Sequence, residues 1–115
     1  NYPGSPYATE ARARYRAMLD LLAEHEFLVA HYYYRRGAWE SARNRFAGLF
    51  ASFPEYSAME KALFWAGQTD HVLGRDADAR AFFDRLRRDY PESRYLRKLP
   101  KLAQTPATAT ATTGL

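Results

Sequence analysis

The sequence predicts an all-α helical solenoid of about five helices with an overlong first helix, and three observations carry that prediction. The first is an echo at a fixed offset of 37 residues, at which Gly37/Gly74, Ala42/Ala79, Arg43/Arg80, Phe46/Phe83, Leu49/Leu86, Pro54/Pro91 and Lys61/Lys98 coincide. The second is the chemistry of the echo. Small residues (Ala30, Gly67, Ala42, Ala79) stand where two helices of a hairpin approach closely, and a large aromatic (Phe46, Phe83) fills the space beside them. The third is the place where the period fails. Pro3 to Pro54 spans 51 residues, 14 more than the repeat, which adds about four turns, or roughly 21 Å, to the first helix.

Taken in order, the first helix begins after Ser5, an N-cap followed by Pro6 at the first helical position. It runs without a break to Arg36, with Tyr7, Ala11, Tyr15, Met18, Leu22, Phe27 and Ala30 recurring at helical spacing, and Gly37 ends it. The second helix covers Trp39 to Ser52 and stops before Pro54. Ser57-Ala58-Met59-Glu60 reads as a capping box that opens the third helix, which reaches Leu73 before Gly74. The fourth starts at Asp76 and ends near Tyr90-Pro91, and a fifth follows Ser93 and stops at Pro100. Residues 1–103 therefore read as one tetratricopeptide-like helical repeat domain. Residues 104–115, rich in Thr and Ala, have almost nothing to bury and read as a disordered tail.

Composition narrows the function. The 115 residues suffice for one domain, and 16% of them are aromatic, suited to filling the gaps between stacked helices. No apolar run reaches the roughly 18 residues of a membrane span. The chain opens on Asn1-Tyr2-Pro3 rather than methionine and reads as a piece of a longer protein. The absence of cysteine removes disulfides, thiolate metal sites and thiol nucleophiles from this segment. The net charge of +4 arises from Arg and Lys interspersed with acids at helical spacing, a pattern of solvated faces rather than of a nucleic-acid surface.

Catalytic and metal chemistry find little support, and no cofactor is expected. His25 and His31 stand six residues apart, about 240° around a helix, and lack the spacing of a His-Glu-x-x-His zinc site. Glu26 occupies a core-facing position and is expected to be a buried carboxylate paired with Tyr33 or Arg43. Asp70 and His71 are expected to hydrogen-bond to the neighbouring helix. Asp76-Ala77-Asp78 reads as a helix N-terminal cap rather than a calcium loop.

Three strings carry a resemblance: Tyr2-Pro3-Gly4-Ser5-Pro6-Tyr7; Leu22-Ala23-Glu24-His25-Glu26-Phe27 at the end of the long helix; and Arg36-Gly37-Ala38-Trp39 followed by Asn44-Arg45. Together they resemble the C-terminal half of the outer-membrane assembly lipoprotein family (BamD, also called YfiO), most closely over residues 1–56. The resemblance implies a non-catalytic scaffold on the periplasmic face of the outer membrane, held there by a lipid anchor outside this segment. It implies docking on the periplasmic (POTRA) domain of the barrel-forming subunit, BamA, with accessory lipoproteins as further partners and no nucleic acid. Carried over residue by residue, Arg36, Trp39, Asn44 and Arg45 become the expected partner-binding edge. Arg and Trp also suit interface anchoring on physical grounds. Arg45 lies one position before Phe46, hence about 100° away from the core direction. Trp39 equally suits a purely structural role over the helix turn, and for Arg45 the only acid nearby on its own helix, Glu40, is five residues back and poorly placed. The rival readings are another periplasmic repeat adaptor, of the Tol-Pal cell-division coordinator type, and a generic peptide-binding repeat protein.

Overall fold

The computed structural model describes residues 4–103, and all the regular structure among them is helical. Four α-helices follow in order: α1 (Pro6–Arg35), α2 (Trp39–Ser52), α3 (Met59–Val72) and α4 (Asp76–Asp89). α1 packs against α2 and α3 against α4 as two antiparallel hairpins, and α2 stacks on α3 to join them. The tail at 104–115 lies outside the described residues.

The 37-residue echo is reproduced in the backbone. Gly37 and Gly74 end α1 and α3 at φ 79° and 78°, the left-handed conformation that glycine adopts without steric cost. The residues before α2 and α4, Ala38 and Arg75, share φ −90° with ψ 69° and 68°. The residues closing these helices, Phe53 and Tyr90, share ψ 63°. Side chains repeat as well: Ala42, Phe46 and Leu49 on α2 are buried, as are Ala79, Phe83 and Leu86 on α4. Phe27 meets Phe46 at a ring separation of 6.0 Å, and Phe64, one period on, meets Phe83 at 6.4 Å.

Hairpin closure depends on the small residues. A Cβ on Gly67 would stand 2.4 Å from the Phe83 ring, so α3 and α4 approach as closely as they do because position 67 has no side chain. α1 is 30 residues long against 14 for α3, its equivalent in the second repeat. The excess projects beyond the α1–α2 hairpin, α2 being only 14 residues long. Ser5 caps α1 as expected, its hydroxyl accepting from the Ala8 amide at 3.0 Å.

Two expected features take a different form. The capping box at Ser57 does not form: the residue before α3 is Ala58, and no side chain caps the helix. Ser57 instead donates both its amide and its hydroxyl to the Asp20 carboxylate on α1, at 2.8 and 2.6 Å. In a capping box the Ser57 amide would donate to the Glu60 side chain; here Asp20 accepts it, and the hydroxyl is turned to donate to the same carboxylate. The fifth helix is replaced by two 3-10 turns, Arg94–Lys98 and Lys101–Ala103. They fold back so that Leu99 and Ala103 are buried and Tyr95 lies 5.0 Å from the Phe64 ring, closing the end of the solenoid. Pro100 leaves too few residues for a stable α-helix to propagate.

Candidate protein-docking site

The edge where α1 hands over to α2 collects the expected partner-binding residues. Arg36 is the C-cap of α1, and its guanidinium donates to the Tyr32 hydroxyl at 3.1 Å while lying 5.5 Å from that ring. The Tyr32 ring packs edge-on to Tyr33 at 5.7 Å. Arg45, one and a half turns into α2, sits 6.0 Å from the Tyr33 ring and pairs with Glu26 at 3.6 Å. The result is a continuous ladder, Arg36–Tyr32–Tyr33–Arg45–Glu26, bridging the two helices. Trp39 folds back over the turn, within 3.9 Å of where a Cβ on Gly37 would be, and remains 38% exposed. Asn44 is exposed on α2, about 100° round from Arg45, and joins no contact of the ladder.

Glu26 corrects one expectation. It is half-buried rather than buried, and its partner is Arg45 rather than Tyr33 or Arg43. Arg43 is engaged elsewhere, donating to Asp70 on α3 at 3.0 Å and lying 3.6 Å from Asp78 on α4. Asp70 thus makes the cross-helix bond expected of it. It is almost wholly buried, and burial pushes its carboxyl above the usual range while Arg43 opposes that shift. His71 reaches Asp76 on α4 only at 3.7 Å.

Two aromatics of the ladder, Tyr32 and Tyr33, escaped the sequence reading as site residues. The four-residue step from Tyr32 to Arg36 is a helix-face pairing and was available as a signal. The Glu26–Arg45 and Tyr33–Arg45 contacts join different helices and carried no local signature.

A second cluster ties α1 to the α2–α3 turn. Besides the Asp20–Ser57 bonds, the Tyr56 hydroxyl donates to Glu24, and Lys61 Nζ stands 3.3 Å from the same carboxylate and 4.3 Å from the Phe27 ring centre. Burial, then the bond to Glu24, drives the Tyr56 phenol pKa far above its ordinary value. Beside this cluster, Tyr15, Arg16, Leu19, Phe53, Pro54 and Glu55 line an open cleft of about 670 Å³ under the overhang of α1. Between the two hairpins, His31 of α1 packs edge-on to Trp65 of α3 at 4.6 Å, and burial first, then the charges of Arg35 and Lys61, lower its pKa. The arrangement serves packing and presentation. Among the described residues no group of three His, Cys, Asp or Glu side chains converges as a metal site.

Comparison with known proteins bears on the family of the chain. The family described as "YfiO: Outer membrane lipoprotein" matches residues 1–82. Three relatives, each named outer membrane protein assembly factor BamD, illustrate the similarity. That of Haemophilus influenzae is 34% identical over 76 residues, covering 66% of this chain and 29% of the relative. That of Vibrio cholerae is 42% identical over 62 residues, covering 54% and 26%. That of Neisseria meningitidis serogroup A is 33% identical over 98 residues, covering 83% and 36%. The chain therefore spans between about a quarter and just over a third of the length of these relatives. With the family matched across both helices of the ladder and into the first half of α4, this chain belongs to the YfiO family of outer membrane lipoproteins.

Proposed function

We propose that this segment is a non-catalytic scaffold of the outer-membrane β-barrel assembly machine, working at the periplasmic face of that membrane. Its partner is a periplasmic domain of the barrel-forming subunit, BamA-like in kind, and the docking edge is Arg36, Trp39, Asn44 and Arg45. The observation that carries the reading is the ladder itself. Two guanidinium groups are held on tyrosine rings at a hairpin edge, half-exposed and pre-oriented. Stacking of this kind lowers the entropy lost when an Arg forks onto a partner carboxylate. The relatives' names, assembly factors of outer membrane proteins, support the setting. A lipid anchor outside this segment and contacts to accessory lipoproteins belong to the same proposal.

The test is a binding titration between the chain and the isolated periplasmic domains of the barrel subunit. Arg36→Glu combined with Arg45→Glu, with helicity checked by circular dichroism, is expected to weaken binding by at least about 30-fold, the loss of one anchor worth about 2 kcal/mol. Because Arg45→Glu also sets two acids opposite each other at Glu26, Arg36→Glu alone serves as the control that leaves the inter-helix pair intact. Undiminished binding by the folded double variant would remove this edge from the site.

A further inference from the structure

Charge is distributed unevenly along this chain. Residues 85–101 hold seven of its 17 basic side chains against two acids, Asp89 and Glu92, whereas residues 1–84 hold ten bases and eleven acids. The whole positive excess thus sits at the C-terminal end of the solenoid. Within that end, α4 balances itself: Arg87 pairs with Asp84 at 2.7 Å, and Arg85 and Arg88 both pair with Asp89, at 3.6 and 3.1 Å. The 3-10 turns do not. Arg94, Arg97, Lys98 and Lys101 are all exposed, and among the described residues no ion pair engages any of them. Arg94 and Lys98 lie over the Tyr95 ring instead, at 5.4 and 5.6 Å from its centre.

These turns are firmly seated. Leu99 and Ala103 are buried beneath them and Tyr95 packs on Phe64, so the four cations project from a fixed base. Two grooves among the described residues lie elsewhere, one under α1 and one between α2, α3 and α4. A solenoid end needs a polar outer face to stay soluble, but mixed charges meet that need, and residues 92–101 set four exposed cations against the single acid Glu92. Exposed cations with no ion-pair partner among the described residues suit a partner that is itself extended and uniformly negative. Membership in a family of outer membrane lipoproteins puts such a partner within reach.

We infer that the C-terminal cationic face, Arg94, Arg97, Lys98 and Lys101, rests on an anionic phospholipid surface and orients the solenoid against the bilayer. The attraction is electrostatic and shallow, fading beyond a Debye length. Its occupant is a lipid headgroup layer rather than an acidic protein, because the four exposed cations are complementary to a uniformly anionic surface and the family is one of outer membrane lipoproteins.

The experiment is co-sedimentation of the full chain with vesicles of phosphatidylethanolamine and phosphatidylglycerol in a ratio of about three to one, beside vesicles of phosphatidylcholine alone. Binding is expected to the anionic vesicles only and to fall steeply as salt is raised. Each cation near the surface contributes about a fivefold increase in partitioning, so R97E/K98E/K101E is expected to bind at least about 100-fold more weakly. A control with the same change in total charge, R14E/R16E/R80E, places the substitutions on α1 and α4 instead and is expected to bind nearly as well as the unaltered chain. Equal loss in both triple variants would reduce the effect to net charge and overturn the assignment of this face. Binding to neutral vesicles, or none to anionic ones at low salt, would overturn it too, and capture of an acidic protein domain in place of vesicles would assign the face to a protein partner.

Discussion

At the scale of single residues, the two repeats differ most informatively at their smallest side chains. Gly67 and Ala30 occupy equivalent positions, and both face the large aromatic of the paired helix. At Gly67 a methyl group would stand 2.4 Å from Phe83 Cε1 and 2.6 Å from Cζ. Phe83 is completely buried and has no free space into which to swing. Helix propensity favours Ala over Gly by about 1 kcal/mol, whereas overpacking a closed core costs about 1–3 kcal/mol. Gly67→Ala is therefore expected to destabilise the fold by up to about 2 kcal/mol net in urea denaturation. Gly48 supplies the contrast, since it is exposed within α2 and a Cβ there meets nothing within 4 Å. Gly48→Ala is expected to stabilise by up to about 1 kcal/mol. A stabilising Gly67→Ala would mean that α3 and α4 separate more readily than their packing implies.

At the scale of elements, the boundaries set by local chemistry were legible in the sequence and those set by tertiary competition were not. Ser5-Pro6 and Gly37 determine the ends of α1 through their own backbone preferences, and the structure places them there. Ser57 carries the signature of a cap, yet Asp20, 37 residues earlier, takes both of its donors. Nothing in the local sequence around Ser57 announces a carboxylate from another helix. The same holds for Glu26 and Arg45, whose pairing depends on how α1 lies against α2. The periodic core, Phe46 with Phe83 and Leu49 with Leu86, could be read because burial in a repeat recurs with the repeat.

The Asp20–Ser57 latch has a pH signature. The two donors from Ser57 lower the Asp20 carboxyl pKa below its ordinary 3.8, the hydroxyl more than the amide. A carboxylate depressed in the fold contributes stability that is present above the unfolded value and lost as pH falls through the folded one. Ser57→Ala removes the larger of the two bonds, so it is expected to melt at a lower temperature than the unaltered chain at neutral pH. The gap between the two melting temperatures is expected to narrow as the pH drops below the ordinary carboxylate value. A gap independent of pH would show that Ser57 contributes through packing alone.

At the scale of the whole molecule, α1 is a helix with two working faces. Ala23, Phe27 and Ala30 point into the hairpin core. Tyr7, Tyr15, Met18, Leu21, Leu22 and Leu28 remain between 49% and 81% exposed, and at about 100° per residue they cluster on the opposite side of the helix. Steps of three and four residues through Ala11, Met18, His25 and Tyr32 on one row, and Tyr15, Leu22 and Val29 on the next, give the stripe the spacing of a helix-pairing seam. It is longer than the hairpin it belongs to, so no other element of the described residues covers it. Side chains this large in one continuous stripe offer on the order of 800 Å² of surface, the share one partner contributes to a standard interface. A second copy of the chain presents the same stripe, and two such helices laid together would satisfy a two-fold contact. The 115-residue chain is accordingly expected to dimerise with rising concentration in sedimentation-velocity experiments. Met18→Glu combined with Leu22→Glu sets like charges at the centre of the seam and is expected to hold the chain monomeric with unchanged helicity. The cationic 3-10 turns at the far end of the molecule take no part in this contact, so that variant is expected to retain its binding to anionic vesicles. A chain that stays monomeric at high concentration would show that the stripe alone is too narrow to hold a second copy.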